Sequence, residues 1–248
     1  MRIPAIRISK VLILRNFHKK LALCLIVVSV FSIICFAFSV GAKNNPSTGS
    51  NFKKGTVIVD AGHGGFDGGA TVKNICEKDI NLQISNSLAA YLKSFGFNVI
   101  TVRSDDSSTE SDPSATISAR KKSDLRNRLE LAKKNPDSIY VSIHLNKFPM
   151  ESCKGAQIFY SPNNENSKIL AECIRRSITE KLQKDNKRAL KPGTRDTYLL
   201  YFSKIPTVIA ECGFMSNSSD LNNLLNPGYQ KQMAFSIACG ILDYFKEV

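Results

Sequence analysis

Histidine is nearly missing from this chain: three occur in 248 residues. One of them, His18, falls within the first twenty positions, so imidazole chemistry further along rests on His63 and His144 alone. Cysteine is less scarce but unpatterned. The five that follow residue 42, Cys76, Cys153, Cys173, Cys212 and Cys239, are odd in number and include no C-x-x-C pair. That argues against a disulfide framework, and small buried thiols are the better reading for most of them. Phosphate-cradling patterns are lacking too. The glycine-rich run at 61–69 has no Lys-Ser/Thr ending and no G-x-G-x-x-G spacing. No internal repeat is visible.

Two further absences lie at the amino terminus. Residues 1–20 contain no acid but carry Arg2, Arg7, Lys10, Arg15, Lys19 and Lys20. Residues 21–42 contain no charge at all and are dominated by Leu, Ile, Val and Phe, a stretch long enough to span a hydrocarbon core as a helix. A basic leader ahead of such a stretch predicts that the rest of the chain emerges on the far side of a membrane. Val40-Gly41-Ala42 offers a small-residue cleavage site, which fits a signal peptide. The length of the apolar stretch favours an uncleaved anchor. Cys24 and Cys35 lie inside it, outside any lipid-attachment context. Residues 43–53 are rich in Asn, Pro, Ser and Gly and read as a tether. Residues 54–248 are enough for one well-buried domain. Six of the thirteen net positive charges belong to the leader. The moderately basic remainder suits an anionic polymer such as cell wall or an acidic lipid surface, and export argues against nucleic acid as a partner.

Past residue 54 strand and helix patterns alternate, which predicts an α/β fold with a single twisted, mostly parallel sheet flanked by helices. Strands are expected at 55–60, 97–102, 138–144, 155–160 and in the run that ends at Glu211. Helices are expected at 79–95, 117–134, 167–184, from Asn217 or Ser218 to Leu225, and from Pro227 to the end. Residues 104–116 read as a polar loop, 184–196 as a basic exposed loop at the rim of the site, and 198–202 as a short strand or turn.

His63 and His144 each follow a β-branched apolar run, where a strand should end and a loop begin. Loops at the carboxyl ends of parallel strands point into one crevice. Glu77 lies after the first of these motifs, and Glu211 ends a third such run, Thr207-Val208-Ile209-Ala210. Two imidazoles and one carboxylate leave a fourth zinc position open, the ligand set of a catalytic zinc rather than a structural one. The spare carboxylate is then free to act as a base. The residues alone leave the roles open. An acid at position 77 also suits a helix start, and Asp79 is its local rival as a ligand. A carboxylate at position 211 needs a nearby cation, an exposed sheet edge, or a salt bridge to an arginine; Arg103 and Arg128 are candidates for structural pairing. Asn146 either orients a ligand or substrate carbonyl or is a turn residue.

Four segments, VIVDAGHGGFDGGA, EKDINLQISNSLAAYLKSFGFNVITVR, RNRLELAKKNPDSIYVSIHLN and PTVIAECGFMSNSSDLNNL, resemble in order the zinc-dependent N-acetylmuramoyl-L-alanine amidases of the amidase-3 type. The likeness runs from Lys54 to the end of the chain. It implies a sheet of about six strands, one zinc ion on His63, Glu77 and His144, and Glu211 as the catalytic carboxylate. It also implies cleavage of the amide between the lactyl group of N-acetylmuramic acid and L-alanine in peptidoglycan. The short domain, the one amino-terminal apolar segment and the absence of wall-binding repeats resemble the sporulation, CwlD-type members. That implies a role in spore cortex maturation, toward muramic lactam, on the forespore side of the cell envelope. The missing wall-binding module points to an activating or anchoring protein partner. Competing expectations are a different zinc peptidase or deacetylase, a non-catalytic peptidoglycan-binding protein, and a partner-dependent membrane scaffold.

Overall fold

Four β-branched runs make the centre of the sheet: β1 (Thr56–Ala61), β4 (Asn98–Thr101), β5 (Ser138–Asn146) and β8 (Thr207–Phe214). The computed structural model describes residues 55–248, so the expectations for the leader at 1–20, the apolar segment at 21–42 and the tether at 43–53 lie outside the described residues. Among the described residues no helix is long and apolar enough to cross a membrane. The four strands pair in parallel in the order β4-β1-β5-β8. Beyond β8 lie β6 (Gln157–Tyr160) and β7 (Lys191–Pro192), completing six strands. β6 runs antiparallel to β8, and β7 runs parallel to β6. The expectation of a mostly parallel sheet is therefore corrected to a mixed one at this edge. The cause is connection length. The chain passes from β5 to β6 without a helix, and a parallel return needs a longer crossover that is usually helical.

The alternation of each strand divides its side chains between two cores. Val57, Val59, Ile139, Val141, Ile143, Val208 and Ala210 face the larger core, where they meet α1 (Glu77–Ser94), α3 (Glu165–Lys181), α5 (Ser218–Leu224) and α6 (Pro227–Glu247). Ile58 and Tyr140 face the smaller core, closed by Leu129 and Ala132 of α2 (Ile117–Lys134) and by Leu199 of α4 (Tyr198–Phe202). The helix starts follow local chemistry. Thr116 accepts a hydrogen bond from the Ala119 N–H at 3.3 Å, Asn217 accepts one from Asp220 at 2.9 Å, and Asn226 caps α6 ahead of Pro227.

Three features depart from the sequence reading, the first being β7, which lies in the stretch 184–196 expected to be a loop. Residues 198–202 form a one-turn helix rather than a strand or turn. A small hairpin, β2 (Thr71–Val72) with β3 (Ile75–Cys76), turns through Lys73 and Asn74, both at positive φ. The polar stretch 104–116 has no apolar core, as expected, but it is pinned. Thr109 N–H donates to Asp124 at 2.7 Å, and Asp106 accepts from the Gly65 N–H at 2.9 Å and from Lys78 at 2.6 Å.

Candidate metal centre

The smaller-core face of the sheet carries a polar row at the carboxyl ends of its strands. His144 of β5 is the register partner of Glu211 of β8. Directly opposed residues project from the same face. The two side chains therefore stand next to each other above the Tyr140–Ser142 level of the sheet. They line a cavity of about 320 Å³ together with His63, Asp60 and Tyr198.

Glu77, the first residue of α1, brings the two imidazoles together. Its Oε2 lies 3.3 Å from His63 Nε2, and its Oε1 lies 3.1 Å from His144 Nδ1. The carboxylate is itself anchored. Oε2 accepts from the Ala70 N–H at 2.9 Å, and Oε1 accepts from the Leu145 N–H at 3.0 Å and the Asn81 amide at 3.2 Å. The two rings meet edge to face, 4.9 Å between centroids. One ligand-capable atom from each of His63, Glu77 and His144 lies within 4.8 Å of the others. Ligands on a tetrahedral zinc, at roughly 2.0–2.1 Å from the ion, stand about 3.3 Å apart. Both the donor set and the spacing of the facing atoms thus fit a zinc-sized divalent ion.

The electrostatics point the same way. Burial pulls the His63 imidazole down, but hydrogen bonds and charge from Asp67 and Glu77 outweigh it and push the ring up to about 9. Burial raises the Glu77 carboxyl, yet the two imidazoles overcome this and hold it well below the usual carboxylate range. The centre therefore favours one positive charge between its acids, and a proton on His63 supplies it when no metal does. Asp67 Oδ2 accepts from His63 Nδ1 at 2.9 Å, which leaves Nε2 as the atom turned toward Glu77. An outer carboxylate that fixes the tautomer in this way is the usual support of a metal-ligating histidine.

The loop holding His63 is shaped for this task. His63 itself has φ of 63°, a left-handed conformation that costs a non-glycine residue energy and is kept only where the surroundings impose it. Two buried arginines impose it. Arg103 donates to the carbonyls of Ala61 at 2.8 Å and Gly62 at 3.0 Å, and Arg128 donates to the carbonyl of His63 at 2.8 Å. Arg128 is in turn held by ion pairs to Asp60 and to Asp124. Two glycines leave room for the rings. A Cβ at Gly62 would stand 2.3 Å from the His144 imidazole, and one at Gly69 would stand 2.6 Å from the His63 ring and 2.7 Å from Glu77 Oε2.

Glu211 is half-buried, and its Oε2 is sealed from solvent without a hydrogen-bond partner. Among the described residues no arginine or lysine forms an ion pair with it; Arg128 is taken by Asp60 and Asp124, and Arg103 by backbone carbonyls. The salt-bridge alternative is thereby set aside. Burial raises the Glu211 carboxyl to about 7; charge on His144 and His63 works against this rise, and charge on Glu77 adds to it. Cys212, the next residue, points into the larger core and is 1% exposed, as strand alternation requires.

Four of the five residues singled out from the sequence thus converge on one cavity or on its ligand cluster. The fifth, Asn146, lies in a neighbouring cavity with Gln157 and Phe214. Its carbonyl accepts from the Met215 N–H at 2.8 Å. Asp79 does not join the cluster. The sequence reading missed Asp67, Asn81 and the space-making role of Gly69. Only Asp67 had a usable signal, its position four residues after His63 within the glycine-rich run.

Fold and site together define an α/β amide-hydrolase class, with two imidazoles and a carboxylate facing one another beside an unpartnered buried acid. The chain belongs to the Amidase_3 family, N-acetylmuramoyl-L-alanine amidase, whose pattern matches residues 57–243. It is similar to the germination-specific N-acetylmuramoyl-L-alanine amidase of Bacillus subtilis, 34% identical over 220 residues, covering 88% of this chain and 92% of that protein. Among solved structures it is similar to the CwlD amidase from Clostridioides difficile in complex with the GerS lipoprotein. That match has a TM-score of 0.75 and 39% identity, and covers 79% of this chain and 100% of that one. The amidase AmiC2 of Nostoc punctiforme matches with a TM-score of 0.66 and 30% identity, over 77% of this chain and 97% of that one. The likeness is thus to amidases of the CwlD type.

Proposed function

We propose that this protein hydrolyses the amide between the lactyl group of N-acetylmuramic acid and L-alanine in peptidoglycan, with one zinc ion held by His63, Glu77 and His144. Bound there, the ion would supply Lewis-acid polarisation of the scissile carbonyl and acidify a water molecule. The rest of the chemistry belongs to the chain. Glu211 accepts a proton from the attacking water and delivers it to the leaving alanine nitrogen. Asp67 keeps the His63 proton on Nδ1, away from the ligand cluster. Leu125, Tyr198 and Ile209 give the cavity an apolar side near Glu211. The observation that carries this reading is the buried Oε2 of Glu211, which lies in register with His144 and, among the described residues, has no hydrogen-bond partner and no cation paired with it.

The likeness to a germination-specific amidase supports action on spore cortex, with stripped muramic acid as the precursor of muramic lactam. The relative solved in complex with a lipoprotein supports a protein partner for this chain. Residues 1–42 support export and membrane attachment. The test is muropeptide mapping of cortex and vegetative wall treated with the purified protein, with and without zinc. Release of stem peptides with a free L-alanine amino terminus is expected only with metal. Cleavage within the peptide, or loss of acetyl groups, would replace the amidase with another zinc hydrolase, and binding without turnover would replace it with a wall-binding protein. The Glu211→Gln variant should keep zinc and lose turnover by about 10²–10⁴-fold, the contribution expected of a general base. Retained cleavage would remove Glu211 from the reaction.

A further inference from the structure

The polar row at the site does not end at Glu211. Gln157 of β6 is the register partner of Glu211, so His144, Glu211 and Gln157 form one line across three adjacent strands on the same face. Strands lie about 4.8 Å apart, which puts Gln157 about 10 Å from His144 along the sheet. Gln157 is buried, 2% exposed, and its two polar atoms are both used. Its amide donates to the Ala189 carbonyl at 2.5 Å, and its Oε1 accepts from Arg188 Nη1 at 3.3 Å. Arg188 is fixed from two more sides. Its Nε donates to the Lys154 carbonyl at 2.8 Å, and its guanidinium lies over the Phe214 ring at 4.5 Å.

Every contact that fixes Arg188 is neutral. Among the described residues no carboxylate forms an ion pair with it, although it is half-buried and held in one orientation. Lys191 stands beside it, with its ammonium 5.9 Å from the centre of the Phe159 ring. Both cations line a cavity of about 140 Å³ with Asn146, Gln157 and Phe214. On the other side of Glu211 both signs are present and largely paired: Asp60, Asp67, Asp124 and Asp196 line the larger cavity with Lys121 and Arg128. A planar, pre-oriented guanidinium without an acid matches a carboxylate in a way that a mobile surface lysine does not.

We propose that Arg188, positioned by Gln157 and assisted by Lys191, is a subsite for a carboxylate on the peptide side of the substrate, one residue beyond the L-alanine whose amide is cut. The proposal rests on the amidase reading for the position of the scissile bond. Distance sets the register. An extended peptide advances about 3.3–3.6 Å per residue, so a side group one residue past the alanine reaches about 7 Å or more from the reacting carbon, enough to meet Arg188 when the peptide runs along the row past Gln157. The small cavity accepts a carboxylate and a short stem. The subsite therefore favours substrates whose second peptide residue keeps a free carboxylate over those in which it is a carboxamide.

The test is calorimetric titration of the full chain, in mild detergent, with L-alanyl-γ-D-glutamate and with its α-carboxamide. The acid should bind at least tenfold more tightly than the amide. In Arg188→Gln that ratio should fall to near one, and Arg188→Lys should restore it in part. Equal binding of the two peptides to the unaltered chain, or a ratio undiminished in Arg188→Gln, would overturn the subsite. Turnover of muropeptides is measured in parallel. Cleavage without carboxylate preference would sink the subsite and leave the amidase standing. An Arg188-dependent preference without cleavage would keep the subsite and sink the amidase.

Discussion

At the scale of single residues the centre is a contest between a proton and a metal for the same place. His63 is pushed up to about 9 because Asp67 and Glu77 flank it, and a metal ligand must give up the proton on its coordinating nitrogen. Zinc affinity should therefore rise roughly tenfold per pH unit between about pH 6 and 9 and level off above. Competition with a chelator of known affinity across that range measures it, and a flat profile would show that His63 is not displaced. The sign for stability is opposite. A raised imidazole stabilises the metal-free fold fully below its ordinary value of 6.5, and that contribution is lost as pH rises through about 9. The melting temperature of chelated protein should fall across the same window. Asp67→Asn should weaken zinc by about 10–100-fold, the usual effect of losing an outer-sphere partner. His63 and His144 stood out in the sequence because imidazoles are so scarce; Glu77 and Glu211 were left open by the residues alone and were assigned their roles only by the family resemblance. Asp67 and Asn81 were missed: Asp67 had only its place four residues after His63, in a loop whose left-handed turns choose its partner, and Asn81 reads as any polar residue one helical turn after Glu77.

At the scale of elements, legibility followed length. The helix Ile117–Lys134 matches its expected span because Thr116 caps it and eighteen residues give the period room to show. Tyr198–Phe202 is five residues long, too short for a period, and its aromatic content favours a strand. The direction of β6 was hidden for another reason: alternation reports which face a residue takes, not which way its strand runs. The hairpin β2–β3 did carry a signal, since Asn74 tolerates positive φ and ends a two-residue turn between the β-branched Thr71–Val72 and Ile75. The element that matters most to function is α2, because Arg128 ties it to β1 and to the His63 carbonyl. Both Arg128 and Asp60 are buried, so losing one partner strands the other charge. Arg128→Met should destabilise by about 3–5 kcal/mol in urea unfolding, against about 1 kcal/mol or less for Lys133→Met in the exposed pair with Glu130. Equal effects would mean that the clamp on the His63 loop is not needed for the fold. A tighter test is Gly62→Ala. It leaves the helix and its ion pairs untouched but places a methyl against the His144 ring, so zinc should be lost before stability is.

At the scale of the whole molecule, the three ligands come from a loop after β1, the first turn of α1 and the end of β5. They are far apart in the chain and adjacent only when the sheet is assembled, so an ion that binds them binds the folded state and not the unfolded one. Linkage then sets the magnitude. At zinc one hundredfold above its Kd the stabilisation is about 2.7 kcal/mol. For a domain of 150–250 residues each kcal/mol raises Tm by about 2–4 °C. Saturating zinc should thus raise Tm by about 5–11 °C. The same scan discriminates among the residues. Glu211→Gln, which removes a base but no ligand, should keep the full shift. His63→Ala and His144→Ala should lose most of it while still folding in chelator, because the two cores on either face of the sheet do not depend on the rings. A shift of the same size in the His144→Ala protein would mean that the ion sits elsewhere. In that event the unpartnered carboxylate at Glu211 would lose the neighbour that gives it a reaction to serve.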